Sequence, residues 1–352
     1  MPTHHWDPVC SPPRGLVVPV PVDPTGKLGP TRGQAAGPRW RKTSAGHYVP
    51  ADTRVDVPEQ RILEASMRLP PLGAVTGWAA CRLYGATFHD GLERDGTTQI
   101  PVPLAVGARG GVRRDPRISV NFEGLTRDDW SLVQGIRTMK RVRATFDAMR
   151  GTLDVREAVV ALDMMVAARL VSIQQLQAYA ESRGGAHRIG LVRSALPLAS
   201  EHSRSPNETR TRLIAVLDAG LPNDLLVNCG IHDRSDRLLG IADLLDTEAG
   251  LVIEFDGADH RGVTRHSRDV IKDDDLRGCE LEVVRVTGSQ LRDVPVLVRR
   301  LHAARTRARF VPEAERTWVA HPRANDLDQV LAERAALGTV YQAWRDQGLP
   351  GI

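Results

Sequence analysis

Lysine is nearly absent from this sequence. Only four of its 47 basic residues are lysines, so arginine carries almost all of the positive charge. Arginine suits phosphate recognition, but a GC-rich genome favours it equally. The net charge of +4 therefore permits nucleic-acid binding without requiring it.

Zinc-binding cysteine motifs and membrane segments are also missing. The four cysteines are scattered, with no CxxC pair and no Cys/His spacing typical of zinc sites, and no secretory signal precedes them. The longest apolar runs, such as 159–165, are far too short to span a bilayer. The sequence also has no glycine-rich phosphate loop and no GxSxG motif. We therefore predict a cytoplasmic protein without a membrane partner.

Two acidic residues, Asp243 and Glu254, lie on apolar runs that predict neighbouring strands. The runs cover 238–245 and 251–255, and the polar stretch 247–250 joins them. If that stretch is the loop of a hairpin, the register places Asp243 directly opposite Glu254. The same register pairs Asp246 with Leu251 and Leu245 with Val252.

Like charges that face each other in this way destabilise a sheet. They also raise the pKa of one carboxyl group unless a cation or a shared proton neutralises them. Asp256 lies two residues after Glu254, so strand alternation adds a third carboxylate to the same face. Hard oxygen ligands of this kind suit Mg²⁺ or Mn²⁺. The alternative is that Asp256 and Gly257 form a turn and that Asp243 is a solvated acid at a strand end.

A capped helix is predicted before these strands. Within 205–222, Ser205 is a candidate N-cap and Glu208 follows it by three residues. Glu208 is either a capping-box acid or a fourth carboxylate directed at the sheet, and the two roles are compatible. A polar helix after 265 and an apolar strand at 281–286 complete the order helix, strand, strand, helix, strand.

Together these segments resemble the very-short-patch-repair-like branch of the PD-(D/E)XK nuclease superfamily, in the form fused to abortive-infection type IV antitoxin modules. The motifs that carry the resemblance span about 205–292 and are SPNETRTR, IADLL, IEFDGADH, RHSRDV and LEVVRVT. The resemblance implies a restriction-endonuclease-like mixed sheet flanked by helices. It also implies Mg²⁺ as cofactor, with Mn²⁺ as a substitute, and phosphodiester hydrolysis.

The resemblance also gives individual residues a role. Asp243 and Glu254 match the two metal-binding acids, and Glu208 matches the acid of the preceding helix. The implied catalytic set is Glu208, Asp243, Glu254, Asp256, His260, Arg268 and Asp269, and the implied metal ligands are Asp243, Glu254 and Asp256.

Asp256 departs from the superfamily pattern, which usually has lysine two residues after the second acid. A carboxylate cannot stabilise developing negative charge as an ammonium group would. The lysine's task must therefore pass to His260, to Arg268, to a second metal ion or to no group at all. His260 is the best candidate for proton transfer because the unperturbed pKa of histidine is near neutral. The alternative is an ordinary surface histidine.

Residues 31–51 predict a short helix, a Gly-Pro break and two short strands around 43–46. This segment resembles the end of the winged helix-turn-helix that reads DNA in the abortive-infection antitoxins. Arg39, Arg41 and Lys42 would lie on the wing and contact phosphate, which by itself carries no sequence information. The alternative is a plain basic hairpin that packs on the next domain.

A second basic element is predicted after the nuclease-like motifs. Asp293 is a candidate cap for a helix that extends to Arg309 and contains several arginines. Its basic face either follows a nucleic-acid backbone or is simply solvated.

The predicted fold class is α/β, or α+β overall. We expect a restriction-endonuclease-like C-terminal domain, preceded by a winged-helix-like remnant and a mixed and helical middle region. The predicted segments are 1–30, irregular or disordered; 31–60, winged-helix-like; 61–200, mixed and then helical; 201–310, nuclease-like; and 311–352, a helical extension.

Two functional hypotheses of different classes follow. The first is a metal-dependent DNA endonuclease of defence or DNA repair. The alternative is a non-catalytic, DNA-binding regulator of the antitoxin type, with a toxin or another defence protein as partner, that keeps the nuclease fold as a scaffold. The sequence leaves the oligomeric state open.

The repulsion among the three acids predicts that metal stabilises the fold. Mg²⁺ or Mn²⁺ should raise the melting temperature, because a ligand that binds only the folded state stabilises it, by about 2.7 kcal/mol at roughly a hundred times its Kd. Asp243→Asn should abolish this response. Thermal unfolding with and without millimolar Mn²⁺ measures both effects, and a wild-type protein that does not respond would favour the non-catalytic hypothesis.

Overall fold

A computed structural model describes residues 15–257 and 274–346 of the chain, and side chains as far as 337. Within these residues helices alternate with thirteen strands in three sheets, which confirms the predicted α/β class. Among the described helices, none combines the length and the hydropathy that a bilayer crossing requires.

The chain forms two compact units. One contains Met1–Leu153 and Gln175–Arg193, and the other contains Asp154–Gln174 and Ser194–Ile352. The predicted segment 61–200 therefore contributes to both units.

The first unit begins with a short helix and a small antiparallel sheet. The helix is α1 (Arg32–Ala35), and the strands are β1 (Val20–Pro21), β2 (Trp40–Ser44) and β3 (His47–Pro50). In the sheet, β3 lies between β1 and β2. Thr31 caps α1 with a complete capping box, and the predicted helix and hairpin are both present.

Within the segment predicted to be irregular, residues 15–30 lie outside helices and strands apart from β1. β1 pairs with β3, and the Gln60 side-chain amide exchanges two 2.9 Å hydrogen bonds with the backbone of Val17. These partners lie far along the chain, so no local sequence pattern reveals them. Residues 1–14 lie outside the described residues.

A mixed five-stranded sheet forms the rest of this unit's core, in the order β6-β5-β4-β8-β7. Its strands are β4 (Ala74–Val75), β5 (Val102–Ala105), β6 (Ile118–Asn121), β7 (Trp130–Val133) and β8 (Ile136–Met139). The helices α2 (Pro58–Ser66) and α3 (Gly77–Leu83) contact this sheet, and α4 (Arg141–Gly151) contacts α3.

Three helices lie where the two units alternate along the chain, in the part of 61–200 that was predicted to be helical. They are α5 (Val155–Ala167), α6 (Ile173–Glu181) and α7 (Ile189–Ala195). The Asp154 carboxylate caps α5 by accepting a hydrogen bond from the N–H of Glu157.

The second unit is built on a mixed sheet in the order β12-β11-β10-β9-β13, in which only β11 and β12 are parallel. The strands are β9 (Leu226–Asp233), β10 (Leu238–Asp246), β11 (Leu251–Asp256), β12 (Glu282–Thr287) and β13 (Trp318–His321). The helices are α8 (Pro206–Leu213), α9 (Val294–Arg307) and α10 (Leu327–Asp346).

The sequence prediction missed β9 and β13. In β9, Asn228 and Gly230 interrupt the apolar pattern, and both residue types are disfavoured in strands. Only four residues form β13, so the strand is too short to show a clear alternation of apolar and polar residues. Pairing with neighbouring strands, rather than local preference, makes both segments extended.

Two apolar clusters cover the two faces of β11. Leu251 and Ile253 belong to one cluster, and Val252 belongs to the other. Because strand side chains alternate, Glu254 and Asp256 share the face of Val252.

A buried carboxylate, Asp163 of α5, ties this helix to α8. Asp163 is fully buried and accepts hydrogen bonds from the Arg212 guanidinium and the Thr209 hydroxyl, each at 2.9 Å. Burial raises the pKa of the Asp163 carboxyl, while Arg212 and the N–H of Ser200 act in the opposite direction.

Removing Asp163 should destabilise the second unit strongly. Asp163→Ala leaves the mostly buried Arg212 without its carboxylate, and breaking a buried pair costs about 3–5 kcal/mol. The control is Asp218→Ala, which breaks an ion pair to Arg156 whose side chains are 26% and 36% exposed; this should cost under about 1 kcal/mol. Urea unfolding compares the two, and equal shifts would contradict a structural role for Asp163.

Candidate active site

The hairpin register predicted from the sequence is observed. Asp246 pairs with Leu251, Leu245 with Val252, and Leu244 with Ile253. The ladder ends at that last pair, although β11 continues to Asp256 beside β12. The two strands therefore separate at the position of Asp243 and Glu254.

Asp243 is half-buried and is anchored to β11 by its side chain. Its Oδ2 accepts a hydrogen bond of 2.8 Å from the backbone N–H of Phe255. The Asp243 carboxylate thus accepts a hydrogen bond from a backbone N–H of β11 that lies just beyond the last ladder pair, Leu244 and Ile253. This bond holds the Asp243 side chain next to the backbone of the residue that follows Glu254.

Glu254 and Asp256 point away from the core that Phe255 packs against. Glu254 is half-buried and Asp256 is exposed. In the parallel ladder with β12, Glu254 is the register partner of Arg285, and Asp256 is that of Thr287. A cationic residue therefore lies next to the second acid of the predicted metal pair.

Glu208 takes one of the two roles left open by the sequence. Ser205 Oγ accepts the Glu208 N–H at 3.2 Å, which confirms the predicted cap. The Glu208 carboxylate accepts the N–H of Arg204 at 2.9 Å, rather than the Ser205 N–H that a capping box uses, and it accepts the Asn228 side-chain amide at 2.8 Å. The carboxylate of Glu208 is therefore directed at the sheet, and only its backbone N–H belongs to the cap.

Asn228 connects the helix acid to the row of strand acids. It lies on β9 between the pairs Cys229–Ala242 and Val227–Leu244, so its cross-strand neighbour is Asp243. Asn228 is 2% exposed and has a φ of 49°, in the left-handed region. Asparagine tolerates this conformation better than most residues. The sequence prediction did not include Asn228.

The acids form a row rather than a compact triad. Among the described residues, no three of Glu208, Asp243, Glu254 and Asp256 bring one oxygen each within 4.8 Å of one another. Mg²⁺ is usually held by one or two carboxylates and several waters. Asp243 and Glu254, adjacent on neighbouring strands, therefore fit Mg²⁺ better than the three-carboxylate set does.

The remaining catalytic residues of the prediction, His260, Arg268 and Asp269, lie outside the described residues. Their roles stay predictions.

The predicted phosphate contacts of the N-terminal hairpin differ in their surroundings. Arg39 and Lys42 are exposed. Arg41 instead forms a two-pronged ion pair with Glu64, at 2.9 and 2.7 Å. This pair offsets the charge of Arg41, which would have to leave Glu64 in order to contact DNA.

The arginine-rich helix α9 is capped by Asp293 as predicted, although it ends at Arg307, and carboxylates pair with two of its four arginines. Arg305 binds the carboxylates of Asp246 and Glu248, and the bond to Asp246 raises the pKa of Arg305. Two further ion pairs join Arg307 to Glu282 and Arg309 to Glu280.

One group of possible metal ligands escaped the sequence prediction. Within the described residues, His232, Asp236 and His321 each offer a ligand atom, and these atoms lie within 4.8 Å of one another. His232 and His321 are far apart in the sequence and lie on β9 and β13, the two strands that were not predicted. Only the spacing of His232 and Asp236 was visible in the sequence.

Comparison with known proteins adds no family. No protein-family model matches the chain, and neither a curated protein nor a solved structure matches it.

Two substitutions of Glu208 should measure how much its side-chain hydrogen bonds stabilise the fold. Glu208→Gln keeps an oxygen acceptor for Arg204 and Asn228, so the free energy of unfolding should fall by less than about 1 kcal/mol. Glu208→Ala leaves these donors without the carboxylate and should cost about 1–3 kcal/mol. Urea unfolding measures both. Equal losses would contradict the hydrogen-bonding role.

Proposed function

We propose that the second unit is a metal-dependent DNA endonuclease, the activity that the sequence resemblance implies. The observation that carries the proposal is the placement of Asp243. Its carboxylate is anchored by the N–H of Phe255 at the point where β10 and β11 separate. In the hairpin register, Glu254 of β11 is the residue opposite Asp243 of β10. Two acids on neighbouring strands, one of them fixed by a backbone donor, form a suitable cradle for a hard divalent ion.

In this proposal Asp243 and Glu254 hold Mg²⁺ or Mn²⁺. Such an ion, when bound, polarises a phosphate oxygen and lowers the pKa of a coordinated water. Asn228 positions the carboxylate of Glu208 beside this row through its 2.8 Å hydrogen bond. His260 keeps its proposed part as the group that transfers the proton.

Arg39 and Lys42 are the proposed phosphate contacts of the N-terminal hairpin, because both are exposed. Arg41 is not among the proposed phosphate contacts, because its guanidinium is paired with the Glu64 carboxylate. Contacts of this kind hold DNA without reading its sequence.

The second candidate is a non-catalytic, DNA-binding regulator, with a toxin or defence-system protein as a possible partner. One observation favours it: no three of the described acids converge at the site. A scaffold that has lost its metal would keep Glu208 for the Arg204 N–H and Asp243 for the Phe255 N–H. Both of these structural contacts are present.

Nicking of supercoiled plasmid DNA with Mg²⁺ or Mn²⁺ tests the proposal. Asp243→Asn should lower the rate at least about 100-fold, because it weakens a metal site that supplies several kcal/mol of transition-state stabilisation. DNA affinity should be almost unchanged, since no cation is removed. The matched control is Glu248→Gln, which neutralises a mostly exposed acid in the loop of the same hairpin and should cut like wild type.

The outcomes separate the two candidates. Wild-type protein that binds DNA but cuts no plasmid with either metal supports the regulator. Equal cutting by wild type and Asp243→Asn would show that any nuclease activity lies elsewhere.

A further inference from the structure

A second group of metal-ligand side chains lies on the edge pair of strands, β9 and β13. His232 pairs with Val319, and His321 pairs with Gly230, so the two histidines are diagonal neighbours. Ile231 belongs to a buried core cluster, so alternation directs both imidazoles to the opposite face. His321 is exposed and His232 is half-buried.

The two imidazole rings stack with their centroids 4.3 Å apart and their planes 4° from parallel. The Nδ1 atom of His232 lies 2.9 Å from Oδ1 of Asp236 and 3.2 Å from the Asp236 backbone oxygen. One ligand atom from each of the three residues falls within 4.8 Å of the others.

The turn between β9 and β10 presents Asp236 independently of the histidines. The Asp233 carboxylate accepts the N–H groups of Ser235 and Arg237, at 2.9 and 3.0 Å. Asp236 itself adopts a left-handed φ of 66°. Asp233 therefore fixes the turn, while the Asp236 side chain is directed to His232.

Gly230 leaves the room that the His232 ring occupies. A Cβ atom at position 230 would lie 3.4 Å from Nε2 of His232 and 3.7 Å from the backbone oxygen of His321. A larger side chain would extend into the space beside the imidazole.

We propose that His232, Asp236 and His321 form a binding site for Zn²⁺. Two imidazoles and one carboxylate are a typical donor set for zinc, whereas Mg²⁺ prefers oxygen ligands alone. Tetrahedral zinc with bonds of about 2.0–2.2 Å separates neighbouring ligand atoms by roughly 3.3 Å. The 2.9 Å between Nδ1 of His232 and Oδ1 of Asp236 is close to that separation.

Binding uses the Nδ1 lone pair of His232. The ion takes the place of the proton between Nδ1 of His232 and Asp236, and the neutral imidazole then carries its one ring proton on Nε2. A coordinated ion lies in the plane of each imidazole, and two parallel rings cannot share one ion in this way. His321 is exposed, so its ring can leave the stack on metal binding.

This zinc site is distinct from the proposed endonuclease site. Along β9, His232 lies four residues from Asn228, which corresponds to about 13 Å of strand. Carboxylate oxygens are the ligands of the proposed endonuclease site, whereas the zinc site also uses imidazole nitrogens. The two proposals can therefore fail separately.

Isothermal titration of tag-free, full-length protein with Zn²⁺ tests the inference. We expect one ion per chain, with His321→Ala and Asp236→Asn each weakening the affinity at least about tenfold, since even outer-shell changes cost 10–100-fold. The control histidine is His187→Ala, an exposed side chain outside the group, and Asp243→Asn is the control for the acidic site. Both should bind Zn²⁺ like wild type.

Two results would overturn the inference: a wild-type protein that does not bind micromolar Zn²⁺, or binding that Asp243→Asn removes and His321→Ala leaves intact. Asp236 lies in an exposed turn, so Asp236→Asn remains informative if His321→Ala does not fold. Plasmid nicking with Mg²⁺ by His321→Ala reports on the endonuclease proposal alone.

Discussion

The register of β10 against β11 is the constraint on which the candidate active site depends. At the tip of this hairpin the 2% exposed carboxylate of Asp246 accepts the N–H of Ala249 at 3.1 Å and Nε of Arg305 at 2.9 Å. A slip of one residue would exchange the faces of every side chain on the strand. It would also leave the Asp246 carboxylate buried without these partners, which is costly. The ion pair at the tip thereby determines where Asp243 and Glu254 lie.

Several arginines in the described part of the chain are partners of buried carboxylates. Arg41, Arg212 and Arg305 bind carboxylates that are mostly or fully buried. The planar guanidinium suits ion pairs of this kind, and each pair offsets a positive charge. A small positive net charge therefore says little about which surfaces of this protein are basic.

The central sheet of the second unit carries two kinds of potential metal-ligand side chain at two places. Carboxylates lie where β10 and β11 separate, and imidazoles lie on the edge pair β9 and β13. The left-handed Asn228 stands between these regions on β9. Leu226 and Ile231 pack in the same core cluster although they are an odd number of residues apart, so the side-chain alternation of β9 shifts along its length. That shift is compatible with a strand whose two ends serve different sites.

Local pattern was enough to determine the α/β class, the hairpin register around Asp246 and the cap of α8 by Ser205. The residues that pair in the hairpin and in the cap lie within about a dozen residues of each other, so loop length and side-chain period are enough to predict these contacts. Three contacts were decided by tertiary structure alone. They are the ion pair of Glu64 with Arg41, the position of Asn228 opposite Asp243, and the stacking of His321 on His232. These contacts join segments from about 15 to 90 residues apart, and β9 and β13 become strands chiefly because neighbouring strands satisfy their backbone hydrogen bonds. No spacing within a single segment contains that information.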